Sequence, residues 1–242
     1  MRTAIVTGVS RGLGEALAVA LLAGGHSVIG IGRSAGARIA GERFRFVECD
    51  LAQPARIAAA VQPAWEALAA TNPASVTLVN NAAVAWPVGI LGRLEEGEAE
   101  TALATNVLAP LLLCNLFLRV FADPALPRRI INISSGAAQS ALPGSAVYCM
   151  SKAAIEMLTK SIAAEHVAAG FACITLRPGI FETDMQEFMR SRDPALFPSA
   201  GLFRGFRDNG LLKAPADVAA AIVRSLVDGD VQHGRTYTHL EI

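Results

Sequence analysis

The 242-residue chain carries 21 basic and 21 acidic residues, so its formal net charge is zero. That balance leaves no electrostatic footprint for nucleic acid or an anionic membrane surface. Apolar residues make up 52% with few aromatics, which suits a parallel sheet buried on both faces, and the length fits one α/β domain.

Residues 4–7 read as strand one, a short apolar run ending in a glycine turn. The run breaks at Gly8 and Arg11, so it has the length of a strand rather than of a signal peptide. Residues 12–24 read as a helix stopped by Gly24 and Gly25. Residues 27–31 form strand two, and the alternating run 44–49, ending at Asp50, forms strand three. The Gly/Ala/Arg-rich link 34–42 is short for a helical crossover and predicts a loop or one helical turn. Residues 54–70 make a helix with Pro54 in its first turn. Residues 76–79 are strand four, followed by Asn80-Asn81-Ala82-Ala83.

A long helix is expected over 98–120, bent at Pro110. The apolar stretch 107–122 within it carries Pro110, Asn115 and Arg119, too short and too polar for a membrane span. A helix buried at a subunit contact explains it better. Residues 129–133 are strand five, ending at Ser134-Ser135, and 146–169 a helix closed by Gly170. Residues 173–176 are strand six, ending at Arg177-Pro178-Gly179. The segment 181–212 is irregular with short helices, a substrate loop. A last helix spans 217–227 and a seventh strand 235–238. No repeat or linker divides the chain. The alternation predicts a single domain over 1–242, a Rossmann fold with a doubly wound seven-stranded parallel sheet and helices on both faces. Cys49, Cys114, Cys149 and Cys173 are scattered without a CxxC pair, so no metal is expected, and a reduced, cytoplasmic setting is the plain reading.

Gly8, Gly12 and Gly14 fall between the first strand and the first helix. One makes the tight turn, one lets backbone approach a pyrophosphate, and one permits close helix packing. The helix start offers N–H groups to the phosphate. The bland reading is a glycine-rich turn without a ligand, but this position in an α/β chain favours a dinucleotide. Strand two ends Ile31-Gly32-Arg33-Ser34, with no acid to hold a ribose 2′-OH. Gly32 leaves room and Arg33 offers donors to a 2′-phosphate, with Arg11 expected to reach the same slot. NADP(H) is therefore expected over NAD. Asp50 is a candidate acceptor for the adenine amino group, or a cap for the helix that follows.

Tyr148 and Lys152 stand at i and i+4 on one predicted helix face. A free tyrosine titrates near 10, and a nearby ammonium favours its phenolate, so Lys152 is expected to lower it. Ser134 and Ser135 end strand five, where open sheets place their sites; one hydroxyl is available to hydrogen-bond the reacting oxygen and the other to cap the strand. Asn106 lies in a long apolar helix, where an amide needs a reason: it holds a water, bends the helix or is a satisfied core amide. Asn80 and Asn81 brace a cofactor or form a turn. His26, His166, His233 and His239 look peripheral.

Taken together, these residues resemble the short-chain dehydrogenase/reductase family. The motifs are Thr7-Gly8-x-x-x-Gly12-x-Gly14, Asp50-Leu51, Asn80-Asn81-Ala82-Ala83, Asn106, Ser135, Tyr148/Lys152 and Pro178-Gly179 with Thr183. The family's serine lies thirteen residues before the tyrosine, which selects Ser135 over Ser134. The resemblance implies that Tyr148 is general acid/base and that Lys152 lowers its pKa and binds the nicotinamide ribose. It implies that Ser135 polarises the carbonyl and Asn106 holds a relay water. It also implies cofactor contacts at Gly8, Ser10, Arg11, Gly12, Leu13, Gly14, Arg33, Asp50, Leu51, Asn80, Asn81, Ala82, Pro178, Gly179, Ile180 and Thr183.

The segment from Glu182 to Gln186 and the Gly-Leu-Leu-Lys run at 210–213 resemble the sepiapterin reductase and benzil reductase branch. Ala83 stands where the family usually has glycine, and Thr238 where sepiapterin reductases have aspartate. Trp86, Phe181, Met185, Phe188, Met189 and Phe203 offer an apolar pocket suited to aromatic ketones or diketones. The expected protein is an NADPH-dependent carbonyl reductase forming a homodimer or homotetramer. A 3-oxoacyl carrier-protein reductase would want a basic patch for its acidic carrier. An NADP-sensing binding protein would keep the glycines but has no need of Tyr148, Lys152 and Ser135.

Overall fold

The computed structural model describes residues 1–242, with the side chain of Glu96 outside the description. Seven parallel strands lie in the order β3-β2-β1-β4-β5-β6-β7. They are β1 (Arg2–Thr7), β2 (Ser27–Gly32), β3 (Phe44–Glu48), β4 (Ser75–Asn80), β5 (Arg128–Ile133), β6 (Phe171–Arg177) and β7 (Thr236–Thr238). The order reverses beside β1, which opens a crevice at the carboxyl ends of β1 and β4. The register lines those ends up: Thr7 pairs with Ile31, Val6 with Val79, and Asn80 with Asn132.

Helices α1 (Gly12–Ala23) and α8 (Pro215–Ile222) cover one face. There Leu17, Leu21, Val218 and Ile222 pack on the strands. Helices α2 (Pro54–Ala69), α4 (Ala109–Val120) and α5 (Ala146–Glu165) cover the other. Its centre is an aromatic triad, Trp65, Phe117 and Phe121, with ring centroids 5.1 to 6.1 Å apart. Each such ring buries a large apolar area. A third, smaller cluster sits above the carboxyl ends. It joins α6 (Asp184–Arg190) and α7 (Ala200–Asp208) to the loop after β4. The link between β2 and β3 is a loop with two turns and no helix.

Two helix predictions need correction. The long helix is interrupted by a π turn at Ala104–Leu108, between α3 (Glu96–Leu103) and α4, rather than bent at Pro110 itself. Pro110 has no N–H for the carbonyl four residues back, that of Asn106, so the distortion falls one turn upstream. The helix carrying Tyr148 ends at Glu165, not at 169. Residues 166–169 leave helical geometry so that the chain can enter β6, and His166 stacks edge-on over Phe171, 6.2 Å away. The run Gly97–Val120 is long and apolar enough by composition to cross a membrane, with a mean hydropathy of 1.8. It is interrupted by the π turn, and Leu113, Cys114, Leu116 and Phe117 on it belong to the core.

Candidate active site

The glycine loop is built by steric necessity. Gly8 and Gly12 take φ of +73° and +60°, conformations a side chain resists. A Cβ on Gly14 would stand 2.1 Å from the Gly8 carbonyl oxygen. Helix α1 begins there with no side-chain cap, so its first N–H groups face the crevice as an anion site. Thr7 and Asn81 fix the loop. The Thr7 hydroxyl accepts from the backbone N–H groups of Asn81 and Ala82, each at 3.0 Å. Asn81 Nδ2 donates to the Thr7 carbonyl at 2.9 Å. Leu13 and Leu51 are buried in the core clusters on opposite faces of the sheet, and Ser10 is exposed. These residues fit a dinucleotide pyrophosphate: the backbone is bare where a phosphate must approach, and the helix start is uncapped.

Several predicted contacts fall elsewhere. The Asn80 side chain is buried and turned into the core, donating to Asn132 Oδ1 at 2.8 Å; only its backbone borders the crevice. Arg11, unlike Arg33, is engaged in an ion pair among the described residues. It pairs with Asp184 of α6 at 2.8 Å, because its extended backbone points it across the glycine loop toward α6. Arg33 is exposed, and no ion pair engages it among the described residues. Asp50 accepts from the Ala52 N–H at 3.1 Å and from Gln53 Nε2 at 3.0 Å, closing the turn before α2. Pro178 and Gly179 (φ +79°) lead from β6 to Ile180, whose carbonyl accepts from Lys213 N–H at 3.3 Å. Thr183 caps α6 through Gln186 N–H at 3.3 Å, and its methyl faces Gly12.

Tyr148, Lys152 and Ser135 meet at the end of β5. Lys152 is buried and donates to the Ile133 carbonyl at 2.9 Å. Its Nζ lies 5.6 Å from the centre of the Tyr148 ring, and burial pushes it down to about 8. Tyr148 moves opposite to the sequence expectation. Burial raises its phenol to about 12, partly offset by the hydrogen bond to Ser135. The lysine does not counter this, because its ammonium is itself desolvated and turned to the Ile133 carbonyl. Ser135 also accepts from the Ala137 N–H at 3.2 Å.

Asn106 is 1% exposed. Its amide accepts from Val84 N–H and donates to Val84 carbonyl, both at 2.8 Å, and donates to Ser151 Oγ at 3.2 Å. Its side chain therefore ties the π turn to the loop after β4 and to α5.

Two further ion pairs, beyond that of Arg11 with Asp184, brace the elements around the site. Glu156, one turn beyond Lys152, accepts from Arg177 Nε and Nη2 at 2.7 and 2.6 Å and from Ser134 Oγ at 2.8 Å. Burial alone would raise this carboxyl; the Arg177 and Ser134 bonds outweigh it and hold it low. The i, i+4 spacing of Lys152 and Glu156 was a visible signal. Glu15, in the first turn of α1, accepts from Arg38 Nε at 2.9 Å and Nη2 at 2.5 Å. These bonds hold its carboxyl below the usual range. Nothing in the spacing joins an acid at 15 to a loop arginine at 38.

The apolar roof over Tyr148 contains Met185, Phe188, Met189, Phe197, Phe203 and Phe206. Phe181 is not part of it: it packs on the α1 and α8 side of the sheet, and its backbone bridges to Lys213.

A glycine loop at the switch point and a Tyr–Lys pair beside it define a dinucleotide-linked oxidoreductase. The chain belongs to the short-chain dehydrogenase family, whose model, described as short chain dehydrogenase, matches residues 2–194. It is 29% identical over 239 residues to benzil reductase ((S)-benzoin forming) of Bacillus subtilis (strain 168), covering 98% of each chain. It is 31% identical over 196 residues to NADPH-dependent pterin aldehyde reductase of Arabidopsis thaliana, 76% of each. The crystal structure of 3-oxoacyl-[acyl-carrier protein] reductase from Brucella melitensis in complex with NAD superposes with a TM-score of 0.81 at 25% identity. It covers 98% of this chain and 95% of that one.

Proposed function

We propose that the chain is an NADPH-dependent carbonyl reductase acting on a hydrophobic ketone or diketone. One observation carries the reading: Tyr148 stands beside Lys152 at the end of β5, under an apolar roof. A phenol that keeps its proton is the form needed to reduce a carbonyl. The similarity to a benzil reductase over nearly the whole chain supports a diketone. The similarity to an NADPH-dependent enzyme and the acid-free end of β2 support NADPH.

NADPH, when bound, supplies the hydride. The glycine loop and the start of α1 would hold its pyrophosphate, and Arg33 its 2′-phosphate. Thr183, Gly179 and Lys152 would border its nicotinamide end. Ser135 orients the substrate oxygen. Tyr148 donates its proton to that oxygen, and Lys152, anchored on the Ile133 carbonyl, would bind the nicotinamide ribose. Asn106 spends its amide on Val84 and Ser151, so its part in a proton relay is its main-chain carbonyl, which Pro110 deprives of the usual helical donor.

The four thiols are unpaired, in keeping with a reduced, cytoplasmic setting. Leu108 and Leu111 on the long helix, and Met150 and Met157 on α5, are exposed apolar side chains suited to a second copy of the chain. A screen of NADPH consumption across ketones, diketones, quinones and acyl thioesters tests the function. We expect the highest kcat/KM with an aromatic diketone. A preference for acyl thioesters would replace this reading with a carrier-protein reductase.

A further inference from the structure

The loop joining β2 and β3 has an unusual anchorage. It carries Arg33, yet no helix scaffolds it. What holds it is a carboxylate on another element. Glu15 of α1 is 6% exposed. It accepts from the backbone N–H of Arg38 at 3.0 Å as well as from Nε and Nη2 of the same residue. Both carboxylate oxygens are used. Gly36 closes over the carboxylate from above: a Cβ there would stand 2.5 Å from Glu15 Cγ and 2.6 Å from its Oε1. Ile39 N–H donates to the Gly36 carbonyl at 3.2 Å, and Ile39 packs against the α1 side of the core. Thus residues 36–39 are fastened to the first turn of α1, and the exposed stretch from Arg33 to Ala35 is held at its far end.

The chemistry explains why the pair is needed. A bare carboxylate in the first turn of α1 would add negative charge beneath the helix start, where a phosphate is to bind. Arg38 cancels that charge, and in doing so is itself spent. It leaves Arg33 as the cation open to a ligand, while Arg43 is turned to the Leu22 carbonyl at 3.0 Å.

We propose that Glu15 is a positioning residue for cofactor choice: by clamping Arg38 and Gly36 it fixes the β2–β3 loop so that Arg33 meets the 2′-phosphate. The inference rests on the NADPH reading above. In this proposal Glu15 and Arg38 act through the loop, by way of the bonds that join them.

The test is a set of kcat/KM ratios, NADPH over NADH, on the full chain. Wild type, Glu15→Gln, Arg38→Met, the double variant and Arg33→Ala are compared. A merely structural role would lower both cofactors together and leave the ratio alone. We expect Glu15→Gln and Arg38→Met each to lower the ratio about tenfold, as loss of charge-assisted bonds predicts. The double variant should be no worse than either single one, since the two act as a unit.

An unchanged ratio in both single variants, with a collapse in Arg33→Ala, overturns the clamp and leaves the NADPH reading intact. A loss in Arg38→Met but not in Glu15→Gln also overturns it, making Arg38 a direct phosphate ligand. A wild type without preference for NADPH removes the reading and the clamp together. Should Glu15→Gln fail to fold, Gly36→Ala takes its place, because its Cβ would stand 2.6 Å from Glu15 Oε1 and disturb the clamp while keeping the Arg38 charge; an unchanged ratio there overturns the proposal.

Discussion

Burial pushes the Tyr148 phenol up to about 12, and the proposed reduction uses that phenol as its proton donor. Tyr148→Phe removes only that proton, since the ring still packs. Turnover should fall by about a hundredfold or more, the usual worth of a positioned acid, with NADPH affinity unchanged by fluorescence titration. Retention of most turnover would remove Tyr148 from the chemistry.

Lys152 gives a pH signature of its own. Burial holds it at about 8 in the folded protein, against 10.5 as its ordinary value. Between those values the unfolded chain binds more protons than the folded one, so stability rises with pH across that window. The gain is complete above the unfolded value, and below the folded one the full cost of a buried ammonium is felt. It amounts to about 3 kcal/mol at most. Urea midpoints measured across the window should climb in the wild type relative to Lys152→Met; parallel curves would mean that the ammonium is not desolvated.

Helix α5 does two jobs at once: one turn carries Tyr148 and Lys152 and the next carries Glu156. Through Arg177 and Ser134 that carboxylate ties the helix to the ends of β6 and β5, beside Pro178 and Ser135. Breaking a buried pair strands a charge, at about 3–5 kcal/mol. We expect Glu156→Gln to be destabilised by that order in chemical denaturation. A Glu156→Leu, Arg177→Met double variant should recover most of it, because no charge is left unpaired. A double variant as weak as the single one would contradict the pairing.

Helices α6 and α7 form the roof over Tyr148. Phe203 is buried among Phe197 and Phe206, with centroids 5.8 and 5.7 Å away, inside its own chain. Truncating Phe203 and Phe206 to Ala should raise KM for bulky aromatic diketones more than for small aliphatic ketones. Equal effects on both would deny the roof a part in substrate shape.

Elements with strong local signals were legible in the sequence. The glycine turn, the strands and the Pro54 helix start each carry their own chemistry. The π turn was not legible, because Pro110 marks a distortion whose place is set by the carbonyl four residues back. The direction of the Tyr148 shift was hidden for a related reason: i, i+4 spacing shows that Lys152 is near, but not that its ammonium is desolvated and turned to Ile133.

Over the whole molecule, two apolar clusters grip the sheet and leave its carboxyl edge for chemistry. The doubly wound parallel sheet follows from alternation, since parallel strands need crossovers; the order β3-β2-β1-β4-β5-β6-β7 does not, and came from the fold. What alternation cannot supply is long-range pairing, so Arg11 with Asp184 and Glu15 with Arg38 emerged only from the fold.

Hydride transfer from NADPH to a carbonyl marks its product when both hydrogens on the nicotinamide C4 are deuterium. With that NADPH and benzil as substrate, mass spectrometry should find a hydroxyketone carrying one deuterium on its carbinol carbon, formed far faster than with labelled NADH. An alcohol without the label, or no reduction of any carbonyl tried, would contradict it.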